Sequence, residues 1–152
     1  MANTTSPTVD NPLALQEQVC FALAVASRSV IALYKPVLEP MGLTHPKYLV
    51  MLALWEHEPL SARELARLLQ LDPATLTPLL KRLEAIGYLT RARNPDDERA
   101  LSVTLTAEGR ALRSRALRVP EAVVARLGME VAELRELQQR LGRVIAAASA
   151  PD

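Results

Sequence analysis

Little in this chain is suited to covalent or metal chemistry. It has one cysteine, Cys20, so no intramolecular disulfide can form and a reducing cytoplasm is the natural compartment. Its two histidines, His45 and His57, stand twelve positions apart with no second cysteine, so neither a metal nor another cofactor is expected. No glycine-rich phosphate loop occurs. Aromatic residues make up only 3% against 49% hydrophobic, so the core must be built from Leu, Ala and Val, which suits helix packing. The formal net charge is +1, which excludes a polycation and leaves nucleic-acid binding to local clustering. No uncharged apolar run reaches the roughly 18 residues of a membrane span. The nearest, Val19 to Ser27, is cut short by Arg28. Residues 1–12 carry Pro7 and Pro12 and lack the basic start and apolar centre of a signal peptide, so they read as a disordered tail.

What is present is a patterned stretch from Ser61 to Leu105, inside one expected domain covering 13–152. Ser61 and Glu64 form a capping-box pair ahead of a short helix with Leu65, Leu68 and Leu69 on one side. Leu71-Asp72-Pro73 breaks that helix. A second helix places Leu76, Leu79, Leu80, Leu83 and Ile86 on one stripe and ends at Gly87. Its opposite face is Ala74, Thr77, Pro78, Lys81 and Ala85, flanked by Thr75 and Arg82. Small, hydroxylated and basic side chains let a helix approach the floor of a DNA major groove. Pro78 objects to a continuous helix capped by Asp72, because it removes a backbone donor. The run from Tyr88 to Arg93, the turn Asn94-Pro95-Asp96-Asp97, and the alternating Leu101, Val103, Leu105 predict a hairpin with one apolar face and a basic tip. Helix-turn-helix plus basic hairpin makes a winged helix over about 44–105. An ordinary helical pair with a solvated hairpin fits the same periodicity, and only the polar, basic outer face favours DNA.

On either side the pattern is helical. A helix over 13–38 is apolar around most of its circumference, with Pro36 and Pro40 expected to end it. Thr44 and Pro46 open the next helix, apolar all round and expected at the centre of the core. Thr106 caps a helix that Pro120 should bend or interrupt, and Gly128 precedes a last helix over about 130–148. The apolar stripes of 13–38 and 106–148 exceed what a small winged helix needs. A two-fold dimer through these terminal helices explains the surplus, with an extended monomeric core as the alternative. The expected fold is therefore mainly α with a small β hairpin (α+β): a winged helix-turn-helix dimerised through its N- and C-terminal helices. On residue pattern alone, Cys20 on an apolar helix reads first as a small hydrophobe.

The chain resembles the MarR family of winged-helix regulators, and within it the one-cysteine branch that senses organic hydroperoxides. The likeness is carried by Gln18-Val19-Cys20-Phe21-Ala22-Leu23, Ala26-Ser27-Arg28, Tyr34-Lys35-Pro36 and the run from Gly42 to Met51. Leu54-Trp55-Glu56, the run from Thr75 to Glu84, and Asp97-Glu98-Arg99 complete it, so nearly everything after Leu13 is covered. The resemblance implies a dimeric repressor, not an enzyme, whose cysteine an organic hydroperoxide oxidises, with a small thiol then able to form a mixed disulfide. It also accommodates the proline within the second helix of the motif. It assigns Cys20 as redox sensor and Tyr34 as a phenol supporting the thiolate. The second supporting tyrosine falls on His45 here, and a further family tyrosine, one helical turn after the cysteine, is Ala24. An imidazole can replace a phenol as donor, and a protonated one would lower the thiol pKa further. Cys20 and Tyr34 are fourteen residues apart, about 21 Å along one helix, so Tyr34 would have to serve the cysteine of the other subunit.

The expected DNA contacts are Thr75, Thr77, Lys81 and Arg82 from the helix and Arg91, Arg93 and Arg99 from the wing, with Asp97 holding Arg99 toward double-stranded operator DNA. Two rivals remain. One is a MarR-type repressor answering a small aromatic ligand instead of oxidants. The other is a thiol peroxidase, which lacks an activating Arg or Thr near Cys20, because Arg28 is two turns away.

Overall fold

The computed structural model describes residues 11–94 and 96–151, with the backbone alone for Asn94 and 97–100. The tail expected over residues 1–12 thus falls almost wholly outside the described residues. Two compact units divide the chain, 1–33 and 34–152.

A single 3-10 turn, Leu15–Glu17, leads into helix α1, Val19–Leu38, whose residues from Tyr34 onward belong to the second unit. The Gln18 amide donates to the carbonyls of Pro12 (2.9 Å) and Ala14 (3.1 Å), fixing the chain as it enters the helix. A helix this apolar was expected to be buried, with a second subunit as its cover. In the single chain Val19, Phe21 and Ile31 are 68%, 38% and 41% exposed, and only Leu38 is buried along α1. By length and composition alone, Val19–Met41 reaches the mean hydropathy, 1.4, of a membrane span, a test that core helices of soluble proteins also pass. Pro36 does not end α1 as expected. Its fixed φ suits a helix, and the cost is one donor, that for the carbonyl of the exposed Ala32. The helix stops at Leu38, and a 3-10 turn, Glu39–Met41, closes on Gly42 at φ 71°.

In the second unit α2, His45–His57, is the core helix, burying Tyr48, Val50, Met51, Ala53 and Leu54. Thr44 precedes it in extended conformation, but its hydroxyl caps nothing. Strand β1, Leu60–Ser61, leads directly into α3, Ala62–Leu69. The capping box forms as expected: Ser61 Oγ accepts the Glu64 N–H at 3.1 Å, and Glu64 Oε2 accepts the Ser61 N–H at 2.8 Å. Gln70, at φ 54°, makes the turn into α4, Pro73–Ile86. Helix α4 buries Leu76, Leu79, Leu80 and Leu83 and closes on Gly87 at φ 100°. Two expected stripe members, Leu68 and Ile86, are 48% and 39% exposed, because each lies at the edge of its helix's apolar arc rather than within it.

Strands β2, Leu89–Asn94, and β3, Asp97–Leu105, form the expected hairpin, with Leu89 opposite Leu105 and Arg91 opposite Val103. The sheet has a third strand that sequence periodicity missed. β1 pairs with β3 through Leu60–Val103, giving the order β1-β3-β2. Two residues are too few to show an alternating pattern. Leu60, Leu89, Val103 and Leu105 complete one core with α2, α3 and α4.

Thr106 caps α5, Ala107–Ala116, by accepting the Gly109 N–H at 3.1 Å. As Pro120 suggested, the helical run is interrupted, and α6 is separate at Val119–Leu127. Gly128, at φ 63°, separates it from α7, Val131–Ala148, which buries no residue and leaves Leu137, Val144 and Ile145 nearly half exposed. Polar clamps fasten α5 to the winged helix. A Cβ on Gly109 would overlap the Tyr88 carbonyl, so only glycine permits this approach. Trp55 Nε1 donates to the Gly109 carbonyl at 2.9 Å, and Tyr88 Oη to the Met41 carbonyl at 2.6 Å. Glu58 accepts from Arg110 Nε at 2.7 Å and from the Leu105 N–H at 2.8 Å, joining the end of α2 to β3 and α5.

The Arg110 hydrogen bond holds the Glu58 carboxyl below its ordinary 4.5, outweighing partial burial and aided by the Leu105 N–H and the Arg110 charge. A carboxylate with a depressed folded-state pKa contributes stability that is present above its unfolded value and lost as pH falls through the folded value. The melting temperature should therefore drop more steeply on acidification below about pH 5 in the native chain than in Glu58→Gln, with the two curves converging at low pH. Parallel curves in a thermal melt followed by circular dichroism would refute this role for Glu58.

Candidate nucleic-acid interface and thiol site

Burial of the four leucines decides which side of α4 meets solvent. Ala74, Thr75, Thr77, Pro78, Lys81, Arg82 and Ala85 are all exposed. This is the face the helical wheel placed outward. The helix is capped by position at Asp72 and runs through Pro78 without ending, so the proline is tolerated where its missing N–H lies on the solvent side. Thr77 Oγ1 donates to the Pro73 carbonyl at 2.8 Å, so its hydrogen is directed into the helix while its oxygen remains an acceptor. Lys81 and Arg82 form no ion pair among the described residues.

The wing arginines differ from one another. Arg93 is exposed on β2. Arg91, on the same face two residues earlier, is held by a residue that sequence reasoning did not single out, Glu84 of α4. Glu84 Oε1 accepts from Arg91 Nη2 at 3.1 Å, and Oε2 accepts the Arg91 N–H at 3.0 Å and Nε at 3.4 Å. The side chains are only 20% (Arg91) and 39% (Glu84) exposed. The hydrogen bond from Arg91 holds the Glu84 carboxyl below the ordinary carboxylate range. Opposite charge seven residues apart was visible in the sequence, but no helical or strand period links positions across the Gly87-Tyr88 turn. The side chains of Arg99 and Asp97, expected to form a wing contact and its support, lie outside those described.

Cys20 stands in the first turn of α1 as a free, exposed thiol, not on a buried face. The structure brings together the two residues expected to support it from elsewhere in the fold. Tyr34, near the end of α1, meets His45, the first residue of α2, edge to face at 4.9 Å between ring centroids, with an interplanar angle of 63°. Tyr48, one turn further along α2, lies 5.9 Å from Tyr34. Burial and the neighbouring Tyr34 push its phenol above the ordinary 10.0. Among the described residues neither Tyr34 nor His45 has a hydrogen-bond partner, so each polar group is free to serve another. Burial lowers the His45 pKa below 6.5. An imidazole so placed is neutral at pH 7. It can donate one N–H, but it does not bring the positive charge that the sequence reading allowed for. In an NMR titration the His45 ring protons should have a midpoint below 6.5; a midpoint above 7 would restore the charged imidazolium.

Comparison with known proteins bears on the fold and the family. The model of the MarR family matches residues 43–101, which is α2 through most of the hairpin. The chain is 39% identical over 127 residues to the organic hydroperoxide resistance transcriptional regulator of Bacillus subtilis (strain 168), covering 84% of this chain and 86% of that one. It is 45% identical over 132 residues to the HTH-type transcriptional regulator TtmR of Methylorubrum extorquens (strain PA1), covering 87% and 68%. Among solved structures, overoxidized AbfR bound to DNA superposes with a TM-score of 0.69 at 37% identity, over 86% of this chain and 94% of that one. With a relative this similar along most of both chains and a winged helix in the matching position, the chain belongs to the MarR family of transcriptional regulators.

Proposed function

We propose that this protein is a cytoplasmic, dimeric, DNA-binding repressor that releases its operator when an organic hydroperoxide oxidises Cys20. The observation that carries the DNA reading is the outer face of α4, where Thr75, Thr77, Lys81 and Arg82 stand exposed with no bulky apolar group between them. That face can enter a major groove, while Arg93 and Arg99 of the wing meet phosphates or the minor groove. A likeness to a regulator solved on DNA supports the same reading.

The DNA-binding region is about 44–105, and the regions about 13–38 and 106–148 join two copies. Exposed apolar residues on α1 and α7, including Val19, Ile31, Val144 and Ile145, supply the surface that a two-fold partner would cover. Sedimentation equilibrium should give twice the chain mass at micromolar concentration, and a well-folded monomer there would remove the dimer from this account.

The redox reading rests on an exposed Cys20, on Tyr34 and His45 with unpartnered polar groups, and on the relative named for organic hydroperoxide resistance. The thiolate sulfur attacks the terminal peroxide oxygen, the O–O bond breaks, and an S–O bond forms. Sulfur loses two electrons to give a sulfenate, and the peroxide leaves as the alcohol after taking up a proton. A small thiol can then add to the sulfenic acid, forming a mixed disulfide and releasing water. Either product is bulkier than the thiol. In a packed dimer it shifts the helices that set the distance between recognition elements, so only the reduced form matches two half-sites. Tyr34 and the His45 packed against it, both from the partner subunit, are the donors for the thiolate.

In a gel shift on the promoter upstream of its own gene, the protein should bind reduced and let go on addition of cumene hydroperoxide. Cys20→Ser should bind equally well and stay bound. Release of Cys20→Ser by peroxide would eliminate the redox reading, whereas release of both proteins only by a small aromatic ligand would favour the second reading, a ligand-responsive repressor.

A further inference from the structure

The Glu84–Arg91 pair engages one of the cations expected to contact DNA. We propose that Glu84 is a positioning residue for DNA recognition, setting the wing against the recognition helix through Arg91, which in turn masks the negative charge of Glu84 beside Lys81. The proposal rests on the DNA-binding reading above and deepens it.

Three features of the local geometry lead to it. First, α4 and β2 are joined only through Gly87 and Tyr88, with Gly87 at φ 100°, a conformation that few other residues adopt. That joint is pinned at its base, where Thr106 donates to the Gly87 and Tyr88 carbonyls and Tyr88 Oη to Met41, but those bonds do not reach the outer part of β2. Second, β2 leaves the core as it runs outward. Leu89, Arg91 and Arg93 share one face of the strand, and they are buried, partly buried and exposed in that order. Among the described residues, Arg91 is therefore the last on that face to be partly buried before the wing tip. β2 is also an edge strand, so the Arg91 N–H has a side without a neighbouring strand. Glu84 accepts that N–H and both ends of the guanidinium fork, fixing backbone and side chain with one carboxylate. Third, Glu84 lies one turn beyond Lys81 on α4. An unpaired carboxylate there would repel the phosphates that Lys81 approaches, and Arg91 neutralises it. The pair thus arranges the two DNA-reading elements before DNA arrives, and binding need not order them.

The rival explanation is that Arg91 is a phosphate contact merely parked on Glu84. The two differ in the sign of one measurement. Freeing a parked arginine adds a cation and should strengthen binding with a steeper salt dependence; loosening a positioning contact should weaken binding without steepening it.

The test is fluorescence anisotropy of the full-length protein on its own upstream promoter over a salt series. Glu84→Gln should bind about fivefold or more weakly, with the slope of log Kd against log salt unchanged or flatter. Arg91→Lys keeps the charge but loses the fork, and should weaken binding in the same way. Arg93→Ala should cost less in the Glu84→Gln background than in the native one, while Lys81→Ala should cost the same in both. Unchanged or tighter binding by Glu84→Gln, with a slope steeper by about one charge, would overturn the proposal in favour of a phosphate contact. Equal losses for the Arg93 and Lys81 partners, in step with a lower melting temperature, would reduce the pair to ordinary stability and overturn it too. Absence of DNA binding by the native protein would instead strike the DNA-binding reading itself.

Discussion

Everything proposed for DNA rests on how Leu76, Leu79, Leu80 and Leu83 are buried. These four side chains seat α4 on the core formed with α2, α3 and the sheet. Each buried leucine is worth roughly 2 kcal/mol of transfer free energy, far more than any surface contact on the opposite side. The rotation of the helix about its axis is therefore set by the core. Thr77, Pro78 and Lys81 point outward as a consequence. A proline survives there because its missing donor lies on the side that the core does not use.

The polar contacts have a different task. Apolar packing is tolerant of small shifts, whereas the clamps around α5 are not. Gly109 lets α5 touch the Tyr88 carbonyl, Trp55 holds the Gly109 carbonyl, and Glu58 holds both Arg110 and the last N–H of β3. The Trp55 and Glu58 contacts each link segments separated by about 50 residues in sequence. Such contacts connect α5 rigidly to the winged helix, which a regulator needs if a change elsewhere is to reach its DNA-reading face. The Glu84–Arg91 pair extends the same logic to the wing.

The thiol region lies on a helix that leaves large apolar side chains exposed among the described residues. Cys20 is exposed with its neighbours Val19 and Phe21, while Tyr34, His45 and Tyr48 gather among themselves with polar groups to spare. Burial keeps His45 neutral, so any assistance it offers the thiolate is a hydrogen bond and not a charge.

The sequence by itself determined the local features: the capping box at Ser61 and Glu64, the stop at Gly87, the break at Pro120, the hairpin, and the outward face of α4. These follow from periodicity and from residues whose backbone preferences are strong, so they are legible one segment at a time. The Cys20 setting and the recognition-helix motif were also legible, as a likeness to known regulators. Tertiary structure alone decided what depends on segments distant in sequence. It paired Leu60 with Val103, although two residues carry no period. It carried α1 through Pro36, because the price of one donor at an exposed carbonyl is small. It assigned Arg91 to Glu84 across a turn, drew Tyr34 and His45 together, and made Gly109 indispensable. No pattern along the chain encodes such meetings, because they arise only when separate elements pack against a common core.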